Sequence, residues 1–185
     1  SIAEVMAESG FDWLCIDMEH SVIDYYEAEL LIAAIKSKGL TPFVRVGENN
    51  SRIIKRVLDA GAEGLIIPMV NSKQDAKKAV DSAYYPPFGK RGVGLARAQK
   101  YGFGFDEYRD STSKRIKIIA QIEHYEAIKN LDEIISTDGI DGTLIGPYDL
   151  SGSLGKPGRY DEKDVKEAIG VYEQTAKKHD KLIGF

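Results

Sequence analysis

Apolar positions along this chain switch between two periods, and the switching predicts the architecture. Short β-branched runs, of the kind found in strands covered on both faces, occur at Phe11–Asp17, Pro42–Val46, Gly64–Pro68, Arg115–Glu123 and Gly142–Gly146. A sixth run, Lys181–Phe185, looks like the start of another strand. Between these runs the period lengthens to that of a helix. Ile2, Val5 and Met6 form the stripe of an opening helix that Ser1 can cap and Gly10 ends. Ala28, Leu31, Ile32 and Ile35 fall at i, i+3, i+4 and i+7 behind the capping-box pair Asp24 and Glu27, and Gly39 closes that helix. Ser51–Ala60 turns Ile53, Ile54, Val57 and Leu58 inward and stops at Gly61. Ser72 with Asp75 caps a helix bearing Ala76, Ala79, Val80 and Ala83. Two later helical runs carry Ala127, Ile128, Leu131, Ile134 and Ile135, and, from about Asp161, Val165, Ala168, Ile169 and Tyr172.

Strands alternating one for one with helices mean parallel βα units joined by right-handed crossovers. An eight-fold βα barrel usually takes about 250 residues. Six strands in 185 residues, opening inside a helix and stopping inside a strand, predict a single α/β domain, 1–185, that is most of a TIM barrel without its first strand and last βα units. A six-stranded open sheet is the competing geometry. The pattern lapses only from Tyr84 to Lys114. A connection of about thirty residues is usually functional when it is not disordered, so a lid or pocket wall is expected there.

Composition narrows the function classes. The chain is 43% hydrophobic and 29% charged, with a net charge of −4 and the signs interspersed, which argues against a nucleic-acid or anionic-membrane partner. Cys15 is the lone cysteine, inside an apolar strand with no base beside it. It reads as a core residue rather than a nucleophile, excludes a disulfide framework and points to a reducing compartment. No segment reaches the roughly 18 apolar residues of a membrane span, and Ser1-Ile2-Ala3-Glu4 lacks the features of a signal peptide. A soluble cytoplasmic domain is expected.

The chemistry collects at one end of the strands. In parallel α/β sheets and barrels ligands bind at the carboxyl ends, and here those ends carry Asp17, Glu19 and His20; Arg45; Gln121 and Glu123; and Asp149 with Ser151. Each alone has a plainer explanation: Asp149 as a helix cap, His20 as a structural histidine, Arg45 as an ion-pair partner. Their accumulation on one rim favours a site. Adjacent strands lie about 5 Å apart, so Glu123 and Asp149 can share one divalent cation. Two carboxylates without a thiolate suit a hard ion, Mg²⁺ or Mn²⁺, that keeps open positions for substrate oxygens; a 2-oxo acid fits two such positions. A Schiff-base route is disfavoured because Lys117 lies about 20 Å down the strand from Glu123. His124 is turned away by strand alternation. His179, in Lys177-Lys178-His179-Asp180, reads as a solvated helix end, and Arg91-Gly92-Val93-Gly94 lacks the strand-to-helix context of a phosphate cradle.

Five segments together resemble the HpcH/HpaI aldolases: Phe11 to His20; Arg56 to Ala62 with Ile66 to Val70; Tyr85-Pro86-Pro87 with Arg91 to Gly94; Gln121 to Glu123; and Gly146 to Ser151. The similarity runs in order along the whole chain and is nearest to the metal-dependent pyruvate aldolases. It implies a TIM barrel of the phosphoenolpyruvate/pyruvate superfamily, a homo-oligomer, usually a hexamer, and reversible cleavage of a 4-hydroxy-2-oxo acid to pyruvate and an aldehyde. By resemblance His20 is the base, Asp59 the acid that raises its basicity, and Arg45 the group that stabilises the enolate. Glu123 and Asp149 are the metal ligands, for Mg²⁺ or Mn²⁺ with Co²⁺ as a further candidate. Gln121, the Tyr148 backbone and Asp149 contact substrate. Tyr148 departs from relatives that carry a small residue there. A CoA-ester lyase of the citrate-lyase-like branch and a catalytically silent barrel scaffold are the alternative readings.

Overall fold

A computed structural model describes residues 1–184, the side chains of residues 113 and 114 aside. Phe185, at the end of the sixth expected strand, lies outside the described residues. The chain opens with α1 (Ile2–Ala7), then β1 (Trp13–Asp17), α2 (Tyr25–Ser37), β2 (Thr41–Arg45), α3 (Ser51–Ala60), β3 (Gly64–Ile67) and α4 (Lys73–Ala83). A 3₁₀ helix (Arg97–Gly102), α5 (Phe105–Arg115) and β4 (Lys117–Ile122) follow. Then come α6 (Tyr125–Lys129), α7 (Leu131–Ile135), β5 (Gly142–Ile145), α8 (Pro147–Ser153), α9 (Lys163–Lys178) and β6 (Leu182–Gly184). The six strands pair in chain order, all parallel. They form a curled sheet, a half-barrel. Among the described residues no helix is long and apolar enough to cross a membrane.

The capping residues act as their spacing predicts. Asp24 accepts from the amides of Tyr26 and Glu27, whose side chain reaches back to the Asp24 amide. Ser72 caps α4 through the Asp75 amide at 3.1 Å, and Gly61 ends α3 in the left-handed conformation, φ 110°. One expected helix is two: Asn130 separates α6 from α7, and its side-chain amide donates to the Asn71 carbonyl at 2.8 Å.

The core lies between the outer face of the sheet and the helices. Leu65, Ile67, Ile118 and Ile122 from the strands meet Ile32, Ile35, Ile54, Leu58, Leu131, Ile134 and Tyr172 from the helices, all fully or almost fully buried. Each such aliphatic side chain removes enough apolar surface to contribute about 1.5–3 kcal/mol. The inner face is different. Trp13, Phe43, Ile66, Ile119, Leu144 and Leu182 line an apolar concavity of about 420 Å³, with the Trp13 and Phe43 rings 4.9 Å apart. Cys15, expected in the core, shares the inner-facing parity of Trp13 and is exposed. Alternation decided this, because only Leu14 and Ile16 of β1 face the helices.

The stretch from Tyr84 to Lys114 does not cover the carboxyl rim, but it does wall surface cavities: Lys90, Arg91 and Gly92 line one, and Tyr84 to Phe88 another. It joins α4 to β4, which places it at the amino-terminal edge of the sheet, opposite the rim. There part of it is packed, while Phe88, Val93, Leu95, Tyr101 and Phe103 stay exposed. Arg91 is buried, stacked over Tyr85 and Tyr108, and bound to Asp59 through Nη2 at 2.6 Å. Helix α5 escaped the periodicity reading because Phe-Asp-Glu-Tyr-Arg-Asp-Ser-Thr-Ser-Lys-Arg carries almost no apolar stripe.

Candidate active site

The carboxyl rim is organised by Asp17. Strand register sets its Cα opposite that of Arg45, and the guanidinium grips the carboxylate in two places, Nε to Oδ1 at 2.9 Å and Nη2 to Oδ2 at 2.6 Å. The same Oδ1 accepts the amides of Glu19 (2.9 Å) and His20 (3.3 Å), so one side chain fixes both the arginine and the loop after β1. The arginine beside it holds the Asp17 carboxyl down at about 2. The remaining terminal nitrogen of Arg45 lies 3.2 Å from Glu19 Oε2. His20 is exposed, with its Nε2 3.8 Å from the same Glu19 oxygen.

Glu123 stands just past the end of β4 and is 4% exposed. Its Oε1 accepts the Met69 amide at 2.7 Å, and its Oε2 accepts the Gln121 side-chain amide. Met69 reaches that position with a left-handed backbone, φ 52°, a conformation that costs a non-glycine residue about 1–2 kcal/mol. Behind the carboxylate is Gly146, where a Cβ would sit 3.0 Å from Glu123 Cβ. Only the missing side chain lets β5 approach so closely. Asp149 lies in the first turn of α8, exposed, and among the described residues its side chain has no hydrogen-bond or ion-pair partner. Tyr148 is 60% exposed, and its carbonyl accepts from Ser151 Oγ at 2.6 Å.

The rim therefore assembles Asp17, Glu19, His20, Arg45, Gln121, Glu123, Tyr148 and Asp149 at the same end of four strands. It does not bring in Asp59. Helix α3 runs antiparallel to the strands and returns the chain to their amino-terminal edge, about 15 Å away over its ten residues. Asp59, at the end of that helix, binds Arg91 and the Gln99 side-chain amide, and no contact joins it to His20. The expected pairing of Asp59 with His20 does not form within this chain; the carboxylate beside His20 is Glu19. The set-aside histidines have structural partners. His124 caps α6 by accepting the Glu126 amide, and His179 pairs with Asp132 at 2.9 Å.

The donor chemistry of the rim fits a hard divalent cation. Glu123 and Asp149 supply hard oxygens, and two further acceptor oxygens, Gln121 Oε1 and Glu19 Oε2, are buried without a hydrogen-bond partner. Among the described residues no group of three acids, histidines or cysteines closes on one point.

A half-barrel of parallel βα units with its acidic and basic groups on the carboxyl rim defines a class, and comparison with known proteins gives the family. The model of the HpcH/HpaI aldolase/citrate lyase family matches residues 1–183. The chain belongs to that family. It is 41% identical over 169 residues to a hydroxypyruvate/pyruvate aldolase of Sagittula stellata, covering 91% of this chain and 66% of the relative. It is 38% identical over 186 residues to the 2-keto-3-deoxy-L-rhamnonate aldolase of Escherichia coli, covering 100% and 69%. The chain thus spans about two thirds of the length of these relatives. The crystal structure of a family member from Burkholderia cenocepacia superposes with a TM-score of 0.93 at 34% identity, over 99% of this chain and 74% of that one.

Proposed function

We propose that the chain is the catalytic part of a divalent-metal pyruvate aldolase, a carbon–carbon lyase that reversibly cleaves a 4-hydroxy-2-oxo acid to pyruvate and an aldehyde. The observation that carries this reading is the buried Glu123 carboxylate, pre-positioned by the Met69 amide and Gln121 on the rim that also holds Arg45 and His20. The relatives named as pyruvate and keto-deoxy sugar acid aldolases support the reaction type. In this reading the half-barrel is part of a closed eight-stranded barrel and the assembly is a homo-oligomer.

Glu123 and Asp149 would hold the ion, Mg²⁺ or Mn²⁺ with Co²⁺ as a further candidate. When bound, the ion supplies positive charge beside the reacting 2-oxo group. Gln121 and the amides at the start of α8 orient the 2-oxo acid, since a helix's first turn presents unsatisfied N–H groups to a carboxylate. His20, directly or through a water, accepts the proton of the 4-hydroxyl as the C3–C4 bond breaks. The electron pair of that bond passes to the pyruvate enolate, whose charge Arg45 opposes from a guanidinium already fixed by Asp17. Carbon 3 then takes up the proton that His20 accepted, directly or through a water, and pyruvate leaves.

The test is release of pyruvate from a panel of 4-hydroxy-2-oxo acids, with and without chelator, in wild type and Glu123→Gln. Turnover should vanish in excess EDTA, return with Mg²⁺ or Mn²⁺, and be abolished in Glu123→Gln, whose neutral amide is a poorer ligand. Full turnover in EDTA, or in the variant, refutes the metal-dependent reading.

A further inference from the structure

Helices α3 and α4 follow neighbouring parallel strands and pack side by side. With residues 90–92 they wall a cavity of about 690 Å³ on the outer face of the helix layer. Sites for small organic ligands usually run about 300–1,000 Å³. Helical spacing gives both walls cations, Arg52 and Lys55 from α3, Lys77 and Lys78 from α4. Lys90 and Arg91 add two more beside the end of α4. Among the described residues one carboxylate lines the cavity, Asp81, and Lys90 (2.8 Å) and Lys77 (3.6 Å) both pair with it. Arg52, Lys55 and Lys78 have no acidic partner among the described residues. Arg52 also stands in the first turn of α3, which carries no acid, where the helix dipole disfavours a cation.

The end formed by residues 90–92 is short of acceptors as well. The Arg91 side chain is wholly buried. Its Nη1 donates to the Tyr108 hydroxyl and the Ala83 carbonyl, and its Nη2 to Asp59, but Nε is buried without an acceptor. The Gly92 amide has no acceptor among the described residues either, and a Cβ on Gly92 would meet nothing within 4 Å. A buried donor left unmade is costly, and an anion settled there supplies acceptors. The α4 wall runs from Gln74 to Ser82, about 12 Å of helix, which is longer than one phosphate. Lysine and arginine stems give the same walls apolar surface for a carbon skeleton.

We propose that this groove binds a small organic molecule carrying two or more phosphate groups. Arg52, Lys55 and Lys78 hold it along the walls, and one phosphate sits at the Arg91–Gly92 end. None of the rim residues lines the groove, so the site stands apart from the aldolase reading.

The experiment is calorimetric titration of the metal-free 185-residue chain with fructose 1,6-bisphosphate, ADP and inorganic phosphate. Wild type is compared with Lys55→Gln/Lys78→Gln, which takes one unpaired cation from each wall. The control is Lys177→Gln/Lys178→Gln, which removes the same charge from the exposed end of α9. Each variant is checked for an unchanged circular dichroism spectrum. At least one of the two organic probes should bind once per chain, about tenfold or more tighter than inorganic phosphate, and less tightly as salt is raised. The groove variant should weaken that probe by about tenfold or more, and the α9 variant should stay within twofold. Absence of binding by both organic probes at millimolar concentration overturns the proposal. So does unchanged affinity in the groove variant, which places the ligand elsewhere, or an equal loss in the α9 variant, which reduces the effect to overall charge. Inorganic phosphate binding as tightly as the organic probes refutes the requirement for more than one phosphate group.

Discussion

Asp17→Asn isolates the charge in the arginine clamp. An asparagine keeps an Oδ1 acceptor for the amides of Glu19 and His20, so the loop stays in place and only the charge facing Arg45 is lost. The guanidinium holds the Asp17 carboxyl at about 2 against an ordinary 3.8. At about 1.4 kcal/mol per pH unit this caps the contribution near ~2.5 kcal/mol. The two side chains are 35% and 25% exposed, and solvent screening brings the figure to about 1 kcal/mol. Because the folded-state pKa is the lower one, the stabilisation is fully present above about pH 4 and fades as the pH falls towards 2. For a chain of this size about 1 kcal/mol corresponds to a Tm about 2–4 °C lower. Thermal melts of both proteins from pH 7 to pH 2, followed by circular dichroism, should show a gap that is constant down to pH 5 and closes below pH 4. A gap of the same size at pH 2.5 and pH 7 would show that Asp17 acts through packing, and the electrostatic account would fall.

Three further outcomes follow from the same geometry. Gly146→Ala places a methyl 3.0 Å from Glu123 Cβ and 3.4 Å from its Oε2; it should weaken Mn²⁺ binding measurably by calorimetry at a folding cost of about 1–3 kcal/mol, and wild-type affinity would show that the carboxylate is not held by that contact. Gly64→Ala drives a methyl to 2.2–2.4 Å from the Phe43 ring, so it should lower stability to urea by about 1–3 kcal/mol; adding Phe43→Ala should recover much of this, and strictly additive losses would refute the clash. Arg45→Ala should lower kcat for pyruvate release more than it raises KM, because the enolate charge develops mainly in the transition state; a pure KM effect would reassign Arg45 to substrate binding.

Much of the fold was legible because two separate signals agreed. β-branched runs marked the strands, and capping residues such as Asp24, Ser72 and Gly61 marked where helices start and stop. The rim followed from a single rule about the carboxyl ends of parallel strands, which gathers His20, Arg45, Gln121, Glu123 and Asp149 without any side-chain coordinates. What escaped had no local signature. Helix α5 is polar almost throughout, so its period does not show. Asp59 sits on a helix that leads away from the rim, and a motif read linearly cannot report that its side chain is taken by Arg91, more than thirty positions later. The Met69 amide on Glu123 depends on a left-handed backbone at a residue that rarely adopts one. Glu19 was visible as a rim residue, but its need for a donor emerges only once burial and the crowded guanidinium are known.

The inward-facing Cys15 has a consequence for chemical labelling. It is the one cysteine of the sequence, and although the residue is open to solvent, the walls around its thiol shelter it enough to push its pKa up to about 11. On the order of one molecule in ten thousand then carries the thiolate at neutral pH. Maleimides and alkyl halides, which need that thiolate, should meet a site that is reachable but sluggish, quickening as the solution is made more alkaline. Because Cys15 shares its face of β1 with Trp13, the pace of a simple alkylation reads out, with no engineered tag, whether that face of the strand is covered.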